Sequence, residues 1–303
     1  MITATEAFWY ISTLGVSLPG LVFYRWPGKW NDIDNLVAFG KLRPSVAKQW
    51  QRFIEVPKSS FLIFYCIASI CSTIAVFTIL PALLGWTDKA PAFVQKTVAI
   101  LSDSSAPNAV DSTIALIALF LFTIHSYRRL YETIFVSVFS SGKVNVLHFV
   151  LGCAFYFFAV LSMVTDMPCV RAGDRCPPFE ARRTTIAENS AIIVFLIAMF
   201  YQHQTFKILA NLRMDRAGNV ISKAHIIPKG GLFKFLTSPH YSCEILLYFC
   251  LWMLFGFSYF TGLMFVFVLS NQLLAALATH RWYKEKFREK YPRSRKVIIP
   301  FLF

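Results

Sequence analysis

Seven long apolar segments are the feature that most restricts what this chain can fold into. Each is 18 to 28 residues long, and polar or basic stretches separate them. A helix of about 20 apolar residues is long enough to cross the hydrocarbon core of a bilayer. The chain has 303 residues, of which 56% are hydrophobic and only 15% are charged. We therefore predict an all-α, polytopic membrane protein with seven transmembrane helices and a single domain over residues 1–303. The predicted spans are 7–24, 60–84, 112–139, 144–165, 189–212, 241–260 and 262–279.

The distribution of basic residues predicts the orientation of these spans. Four polar segments hold seven, three, six and eight lysines or arginines, which together make 24 of the 30 basic residues. Cytoplasmic loops carry an excess of Lys and Arg, and an odd number of spans places all four segments on one side. We expect a luminal amino terminus and a cytosolic carboxyl terminus. The four basic segments are 25–59, 127–143, 202–241 and the tail after residue 279.

The net charge of +14 has a simpler explanation than nucleic-acid binding. Most of the basic residues lie in the predicted cytosolic segments, where they face anionic lipid headgroups. We therefore expect membrane lipids as partners, no nucleic acid, and a monomer.

The cysteines and histidines do not have the spacing of a metal site. No two of the six histidines are closer than 15 positions, whereas metal ligands on one helix must recur at helical spacing to converge. We predict no metal. Cys169 and Cys176 share one polar loop, and they can form a disulfide if that loop is luminal.

Several ionisable residues lie in or beside the apolar spans, where an unpaired charge is costly. Glu55 precedes the second span, either as an acid that complements the helix dipole or as a carboxylic acid that donates a hydrogen bond. Arg129 in the third span is either a residue that snorkels to the interface or part of a site. Arg128 and Glu132 are four apart and can neutralise each other.

The last three spans carry further polar residues at helical spacing. His240, Glu244 and Tyr248 are four apart, and Ser238-Pro239 predicts the start of their helix. A carboxylate beyond the first turn of a membrane helix needs a polar partner inside the protein. The neighbouring spans contribute Gln202, Arg213, Asn271, His280 and Tyr283 near the same cytosolic side.

The sequence lacks the motifs of the common nucleotide-binding folds: it contains no GxGxxG, Walker A or HExxH pattern. A bound nucleotide would be held by side chains at the cytosolic ends of the helices.

Three stretches resemble the steroid 5-alpha-reductase family. They are WYKEKFREKYPRSRKVIIPFLF at 282–303, IPKGGLF at 227–233 and the Glu-bearing SPHYSCE at 238–244. HSYRRLYETIFVSVFS at 125–140 and QHxxxxILANLR at 202–213 are similar to the polyprenol (polyprenal) reductase branch of that family. The resemblance covers most of the chain and is densest from residue 202 onward.

The resemblance implies a reductase that uses NADPH in the endoplasmic reticulum membrane, with the cofactor held mainly by residues 202–303. Glu55 matches the family's catalytic Glu, and Arg129 matches a basic residue beside it. Ser126 stands where the steroid enzymes have a Tyr, which makes the adjacent Tyr127 a candidate for that role and argues against a steroid substrate. The positions that resemble NADPH contacts are Gln202, Arg213, His240, Glu244 and Tyr283, and His280 lies in the family's His-containing run just before Tyr283. Asn271 is a further cofactor-binding candidate by its spacing, because it lies 12 residues before Tyr283 on roughly the same helix face.

The implied reaction reduces the α-isoprene double bond of polyprenal to give dolichal, which feeds dolichol synthesis for protein N-glycosylation. An aldehyde has a carbonyl that can absorb the electrons of the hydride, whereas an allylic alcohol does not. We expect the long-chain isoprenoid to enter from the bilayer. Alternative functions within the fold class are 3-oxo-steroid 5-alpha-reduction and trans-2-enoyl-CoA reduction. Alternatives from other classes are a membrane isoprenoid or phospholipid methyltransferase and a transporter or lipid-binding protein.

Overall fold

Eight α-helices and one small two-stranded sheet make up the described part of the chain. The structure is a computed structural model, and it describes residues 2–26, 55–102, 110–139, 142–171, 174, 176, 178–215, 217–222 and 224–299. The helices are α1 Ala4–Arg25, α2 Phe61–Leu83, α3 Ala92–Leu101, α4 Ser112–Tyr131, α5 Val146–Thr165, α6 Ile186–Asn211, α7 Pro239–Leu254 and α8 Tyr259–Phe287. The strands are β1 Glu55–Pro57 and β2 Lys143–Asn145.

Each predicted span coincides with one helix, and the described residues form an all-α polytopic membrane protein. Six helices in the described ranges are long and apolar enough to cross a membrane. The sixth predicted span forms α7, which has only 16 residues and is shorter than a typical spanning helix. The count of seven spans and their sidedness therefore stay predictions.

Helix α3 and the sheet were not predicted from the sequence. Helix α3 has only 10 residues, fewer than a membrane-spanning helix needs. Strands β1 and β2 are three residues each and pair antiparallel, with Glu55 opposite Asn145 and Val56 opposite Val144. They adjoin the amino-terminal ends of α2 and α5 and so hold these two helix starts together.

Side-chain caps fix where several helices begin. Thr3 and Glu6 form a capping box at the start of α1, and Thr185 and Glu188 form another at the start of α6. The Asp111 carboxylate accepts hydrogen bonds from the first free backbone N–H groups of α4. Each cap satisfies donors that have no partner inside the helix, which is why the apolar runs become helical at these positions.

The long helices pack through small and aromatic side chains. Helix α2 packs against α4 and α5, α6 packs against α7, and α8 packs against α1 and α7. Gly152 in α5 permits a close approach of α2, because a Cβ atom there would lie 2.6 Å from the Phe64 ring. In α1 the buried Trp9 indole donates to the Ser162 hydroxyl at 2.9 Å. Small residues at helix contacts are typical of membrane bundles.

The two ends of the bundle differ in what they contain. At the disulfide end, Thr5 meets Ser102, and Asp166 meets Ser258. Cys169 and Cys176, which the sequence analysis paired conditionally, are bonded there. The opposite end, which we call the cavity end, holds the sheet, the residues after α6, and the start of α7.

Candidate active site

A cavity of about 430 Å³ opens inside the cavity end of the bundle. Seven helices contribute to its wall: α1, α2, α4, α5, α6, α7 and α8. One part of the wall is aromatic and aliphatic, and another part carries charged and amide side chains. Its polar and ionisable lining residues are Lys58, Tyr65, Arg129, Thr133, Ser137, His148, Tyr156, Gln202, Arg213, His240, Tyr241, Glu244, Asn271 and Gln272.

A second cavity of about 230 Å³ lies beside the first. The two share one set of lining residues, so they form adjoining compartments of one site. The second compartment extends toward the segment after α6 and the carboxyl-terminal part of α8, where Tyr283 lies. The shared residues are Lys58, Ser137, Phe139, Phe206, Arg213, His240 and Tyr241.

A local change in helix geometry positions the charged side chains of α4. The helix passes into one turn of π-helix at Glu132–Val136, a feature that occurs frequently at functional sites. Glu132 is completely buried. Its carboxylate accepts hydrogen bonds from Arg128 at 2.5 Å and from Arg129, and His203 Nδ1 lies 2.9 Å away. One buried anion thus holds two guanidinium groups in fixed positions.

Arg129 connects this cluster to the cavity. Its Nη2 donates to the Tyr65 hydroxyl at 2.6 Å. The guanidinium carbon lies 4.7 Å from the Tyr65 ring centre and 4.1 Å from the Phe206 ring centre. A guanidinium between two aromatic faces is stabilised by cation–π attraction, so Arg129 brings a fixed positive charge to the cavity wall.

A chain of hydrogen bonds joins α4, α6 and α7. Arg128 Nη2 donates to the Gln202 side-chain oxygen and to His125 Nδ1, the latter at 3.1 Å. Gln202 Nε2 in turn donates to the Glu244 carboxylate and to the His240 carbonyl. The other Glu244 oxygen lies 3.8 Å from His125 Nε2. The partner that Glu244 needs at membrane depth is therefore a protein network.

Cations and hydroxyls surround the second compartment. Lys58 lines it at the start of α2, and Arg213 lies just after α6 and donates to the Val138 carbonyl. Burial lowers the pKa of the Arg213 guanidinium below its ordinary value, which means that an anion beside it would be stabilised. Ser238 is fully buried and lines this compartment, and its hydroxyl has no partner among the described residues.

The structure brings most of the predicted site residues to the two compartments. Arg129, Gln202, Glu244 and Asn271 line the larger one, and Tyr283 lines the smaller one. Arg213 and His240 line both. These residues come from four different helices and one loop, so their convergence is a result of packing.

Three predicted residues do not line either compartment. His280 lies behind the wall, where its Nδ1 is 2.5 Å from the Thr237 hydroxyl. Thr237 also contacts Tyr291, which stacks on Tyr283 with a ring separation of 5.7 Å. His280 thus supports the loop that carries Ser238.

Tyr127 lies on the outer surface of α4. Its side chain is 50% exposed, and its hydroxyl is 2.9 Å from that of Thr73. Successive helix residues point about 100° apart. When Arg128 and Arg129 face the bundle interior, Tyr127 must face away from it.

Glu55 lies next to the cavity and outside its lining. Its Oε2 atom is 3.9 Å from Lys143 Nζ. Successive side chains of a strand point to opposite faces, so Glu55 and Val56 point in opposite directions. Val144, which pairs with Val56, faces the larger compartment. The Glu55 carboxyl therefore flanks the site in this conformation.

Several lining residues on α2 and α5 were not predicted from the sequence. Tyr65, Tyr156 and His148 lie on the cavity wall, but each stands within an apolar run without a nearby charge in sequence. One signal was available: Lys58, Phe61 and Tyr65 recur at helical spacing and share a face.

Comparisons with known proteins give a consistent result. Residues 174–303 match the family described as 3-oxo-5-alpha-steroid 4-dehydrogenase. The chain is 38% identical to a polyprenal reductase of Drosophila melanogaster over 267 residues, which cover 87% of this chain and 80% of the fly protein. It is 32% identical to a polyprenal reductase of Xenopus tropicalis over 283 residues, which cover 89% and 88% of the two chains. A polyprenal reductase of Caenorhabditis elegans is 30% identical over 302 residues, or 99% of this chain and 96% of the worm protein.

Proposed function

The chain belongs to the steroid 5-alpha-reductase family, and from this premise we propose that it is an NADPH-dependent polyprenal reductase. It reduces the α-isoprene double bond of polyprenal and so forms dolichal for dolichol synthesis and protein N-glycosylation. The observation that carries this proposal is the cavity whose wall combines aromatic side chains with Arg129, Gln202 and Glu244.

The apolar part of the cavity suits an isoprenoid chain. Phe61, Phe64, Leu151, Phe155 and Phe267 line it. Burial of such surface contributes about 25 cal/mol per Å² of apolar area, and it imposes little directional requirement on the ligand. A branched, flexible isoprene unit therefore fits this wall, and the aldehyde at its end reaches the polar wall.

The smaller compartment fits the anionic part of a nicotinamide nucleotide. Lys58 and Arg213 provide positive charge for phosphates, and the buried Ser238 hydroxyl is available for a further hydrogen bond. Gln202, His240, Glu244, Asn271 and Tyr283 would hold the remaining polar groups. A reduced nicotinamide supplies a hydride to the β-carbon when it is bound there. The two cations favour NADPH, which carries one more phosphate than NADH.

The charged residues of the wall can stabilise the negative charge that develops during the reaction. As a hydride adds to the β-carbon of an enal, negative charge moves to the carbonyl oxygen. Arg129 is fixed by Glu132 before any substrate arrives, and such preorganised charge is the effective form of transition-state stabilisation. We assign Glu55 as the acid that polarises the carbonyl, which requires its carboxyl to turn from Lys143 toward the cavity.

The cellular setting follows from the same features. The Cys169–Cys176 bond suits an oxidising compartment, and polyprenal is a membrane-resident substrate. We assign the protein to the endoplasmic reticulum membrane as a multi-pass monomer, with the bilayer as the source of its long-chain substrate.

The test uses the full chain purified in detergent. With NADPH and a polyprenal, we expect stoichiometric oxidation of the cofactor and formation of the saturated aldehyde. Activity should be much lower with NADH and with a 3-oxo-4-ene steroid. No reduction of polyprenal would contradict the proposal, as would stabilisation against heat by S-adenosylmethionine in place of NADPH.

The cofactor assignment has its own test. Tyr283 lines the smaller compartment, so Tyr283→Phe should weaken NADPH binding. Fluorescence titration of the purified variant measures this directly. An unchanged affinity would remove Tyr283 from the cofactor site.

A further inference from the structure

The Tyr65 hydroxyl lies on the cavity wall and contacts Arg129. Tyr65 belongs to α2 and lines the larger compartment at the depth of Arg129 and Gln202. Its oxygen accepts a hydrogen bond from Arg129 Nη2 at 2.6 Å. Among the described residues, no acceptor takes the proton of this hydroxyl. A tyrosine hydroxyl can donate and accept at the same time, so its proton is available to a molecule in the cavity.

A fixed positive charge lies beside the Tyr65 oxygen. Arg129 cannot lose its own proton in a protein, and it remains next to the Tyr65 oxygen through its hydrogen bond to Glu132. A tyrosinate formed at this position would therefore face a permanent positive charge at hydrogen-bond distance. In a cavity of low polarity, such a pair is much stronger than it would be in water.

Several other polar groups near Tyr65 are already engaged in hydrogen bonds. Both Glu244 oxygens face donors, namely Gln202 Nε2 and His125 Nε2. Ser126 is buried and donates to the Phe122 carbonyl at 2.9 Å. Three lining groups besides Tyr65 can transfer a proton: the Tyr156 hydroxyl, whose ring lies 5.7 Å from that of Tyr65, the Tyr241 hydroxyl and the His148 imidazole.

We propose that Tyr65 is a catalytic residue, the general acid that delivers a proton to the α-carbon of the reduced enal. This inference rests on the proposed reductase function, which does not assign the proton donor to the α-carbon. Hydride addition at the β-carbon leaves an enolate. The enolate electrons then form a C–H bond at the α-carbon as the Tyr65 O–H bond breaks. Arg129 stabilises the resulting tyrosinate, and a proton from water restores the hydroxyl. The sum is one hydride and one proton added across the double bond.

The experiment measures the reaction rate and the configuration of the deuterium at the α-carbon. The full-length protein reduces farnesal, a short polyprenal, in D₂O with NADPH, and the product is trapped quickly as the alcohol. Wild type should place one deuterium at C2 in a single configuration, because a fixed group on one side of the enolate delivers it. NMR of a chiral ester of the product reads this configuration.

Three variants are compared with wild type. Tyr65→Phe should lower kcat about 100-fold, as expected for loss of a general acid. It should also scramble the C2 configuration, because the enolate then takes its proton from solvent. The KM for NADPH should change less than twofold. Tyr156→Phe and His148→Gln, the matched controls in the same wall, should keep the C2 configuration.

The possible results separate this inference from the function on which it depends. If wild type does not reduce farnesal or polyprenal, the reductase function itself fails. If Tyr65→Phe retains the rate and the C2 configuration, Tyr65 is not the acid, although the function stands. Scrambling in Tyr156→Phe or His148→Gln but not in Tyr65→Phe would assign the step to that residue and overturn ours.

A second variant covers the case in which Tyr65→Phe does not fold. A 3-fluorotyrosine at position 65 keeps the ring and the hydroxyl but makes the hydroxyl more acidic. It should change kcat while the C2 configuration stays single. An unchanged kcat and pH profile would overturn the assignment.

Discussion

The two ends of the helix bundle both bury ionisable groups, but they use them differently. At the disulfide end, Asp166 accepts hydrogen bonds from the Ser258 hydroxyl and from the Thr261 backbone N–H, and it lies at the junction of α5 and α8. Nearby, the exposed Arg182 pairs with Asp111 and Glu188, which are themselves helix caps. Each of these groups satisfies backbone donors or another cap, and none lines the two compartments of the cavity.

At the cavity end, the charged groups pair with one another and present one side to the cavity. Glu132 holds Arg128 and Arg129, and Arg129 reaches Tyr65 on the wall. A buried charge is costly wherever it lies. At the disulfide end, the buried charge stabilises the junction of helices. At the cavity end, the buried charges hold a cation beside the site of a bound molecule. Four changes test this difference.

Replacement of Glu132 should have the largest effect. Glu132→Gln leaves two buried guanidinium groups without their anion, and breaking a buried pair in this way costs about 3–5 kcal/mol. We expect a lower thermal midpoint in detergent and loss of turnover. The control is Glu188→Gln at the disulfide end, where the carboxylate is partly exposed and the loss should be about 1 kcal/mol or less. Equal destabilisation by the two variants would abolish the distinction between the ends.

Removal of the disulfide should affect stability alone. A disulfide that closes a short loop contributes about 2–3 kcal/mol, so Cys169→Ser together with Cys176→Ser should lower the thermal midpoint. Turnover below that midpoint should match wild type, because the bond lies at the end opposite the cavity. Paired unfolding and activity measurements check both parts. A fall in kcat at low temperature would show that the ends are coupled.

Replacement of the carboxyl beside the cavity should reduce catalysis with little effect on folding. Glu55→Gln keeps the size of the side chain and removes the acid that we assign to the carbonyl. We expect at least a tenfold lower kcat, which is about 1.4 kcal/mol in the barrier, with C2 stereochemistry retained. The steady-state rate with polyprenal measures this. A variant as active as wild type would remove Glu55 from the mechanism and leave the polarisation of the carbonyl to Arg129.

A further expected effect is a dependence of stability on pH from Asp166. Burial raises the pKa of the Asp166 carboxyl to about 6, above the ordinary value of an aspartic acid. The folded state therefore holds this proton more tightly than the unfolded state does. Stability falls as pH rises from about 4 to about 6 and stays at the lower level above that range. Asp166→Asn should flatten this part of the profile, as thermal unfolding across pH 4–7 would measure. An unchanged slope would mean that another group titrates there.

Much of the fold was predictable because the signals for membrane helices are local. The seven predicted spans coincide with helices to within a few residues at most boundaries, since both the apolar length and the caps can be read from neighbouring positions. The clearest differences are at 262–279, where the helix continues to Phe287, and at 241–260, where the helix ends at Leu254. Phe255 to Ser258 form a turn there, and Gly256 adopts a positive φ of 60°, a conformation that glycine tolerates better than other residues.

The site was only partly predictable. Spacing shows which residues of one helix share a face, and it correctly grouped Arg128 with Glu132. Spacing does not show how a helix is rotated against its neighbours. That rotation turns Tyr127 outward, places His280 behind the wall and brings Tyr65 to Arg129.

The sequence by itself determined a polytopic helical membrane protein and the family to which it belongs, because apolar length and linear motifs need no partner to be recognised. Tertiary structure alone decided which charges meet: Glu132 with two arginines, Gln202 with Glu244, and Arg129 with Tyr65. The physical reason is that a charge at membrane depth is stable only with a partner. That partner stands on another helix, far away in sequence, at a position fixed by the packing of the apolar faces.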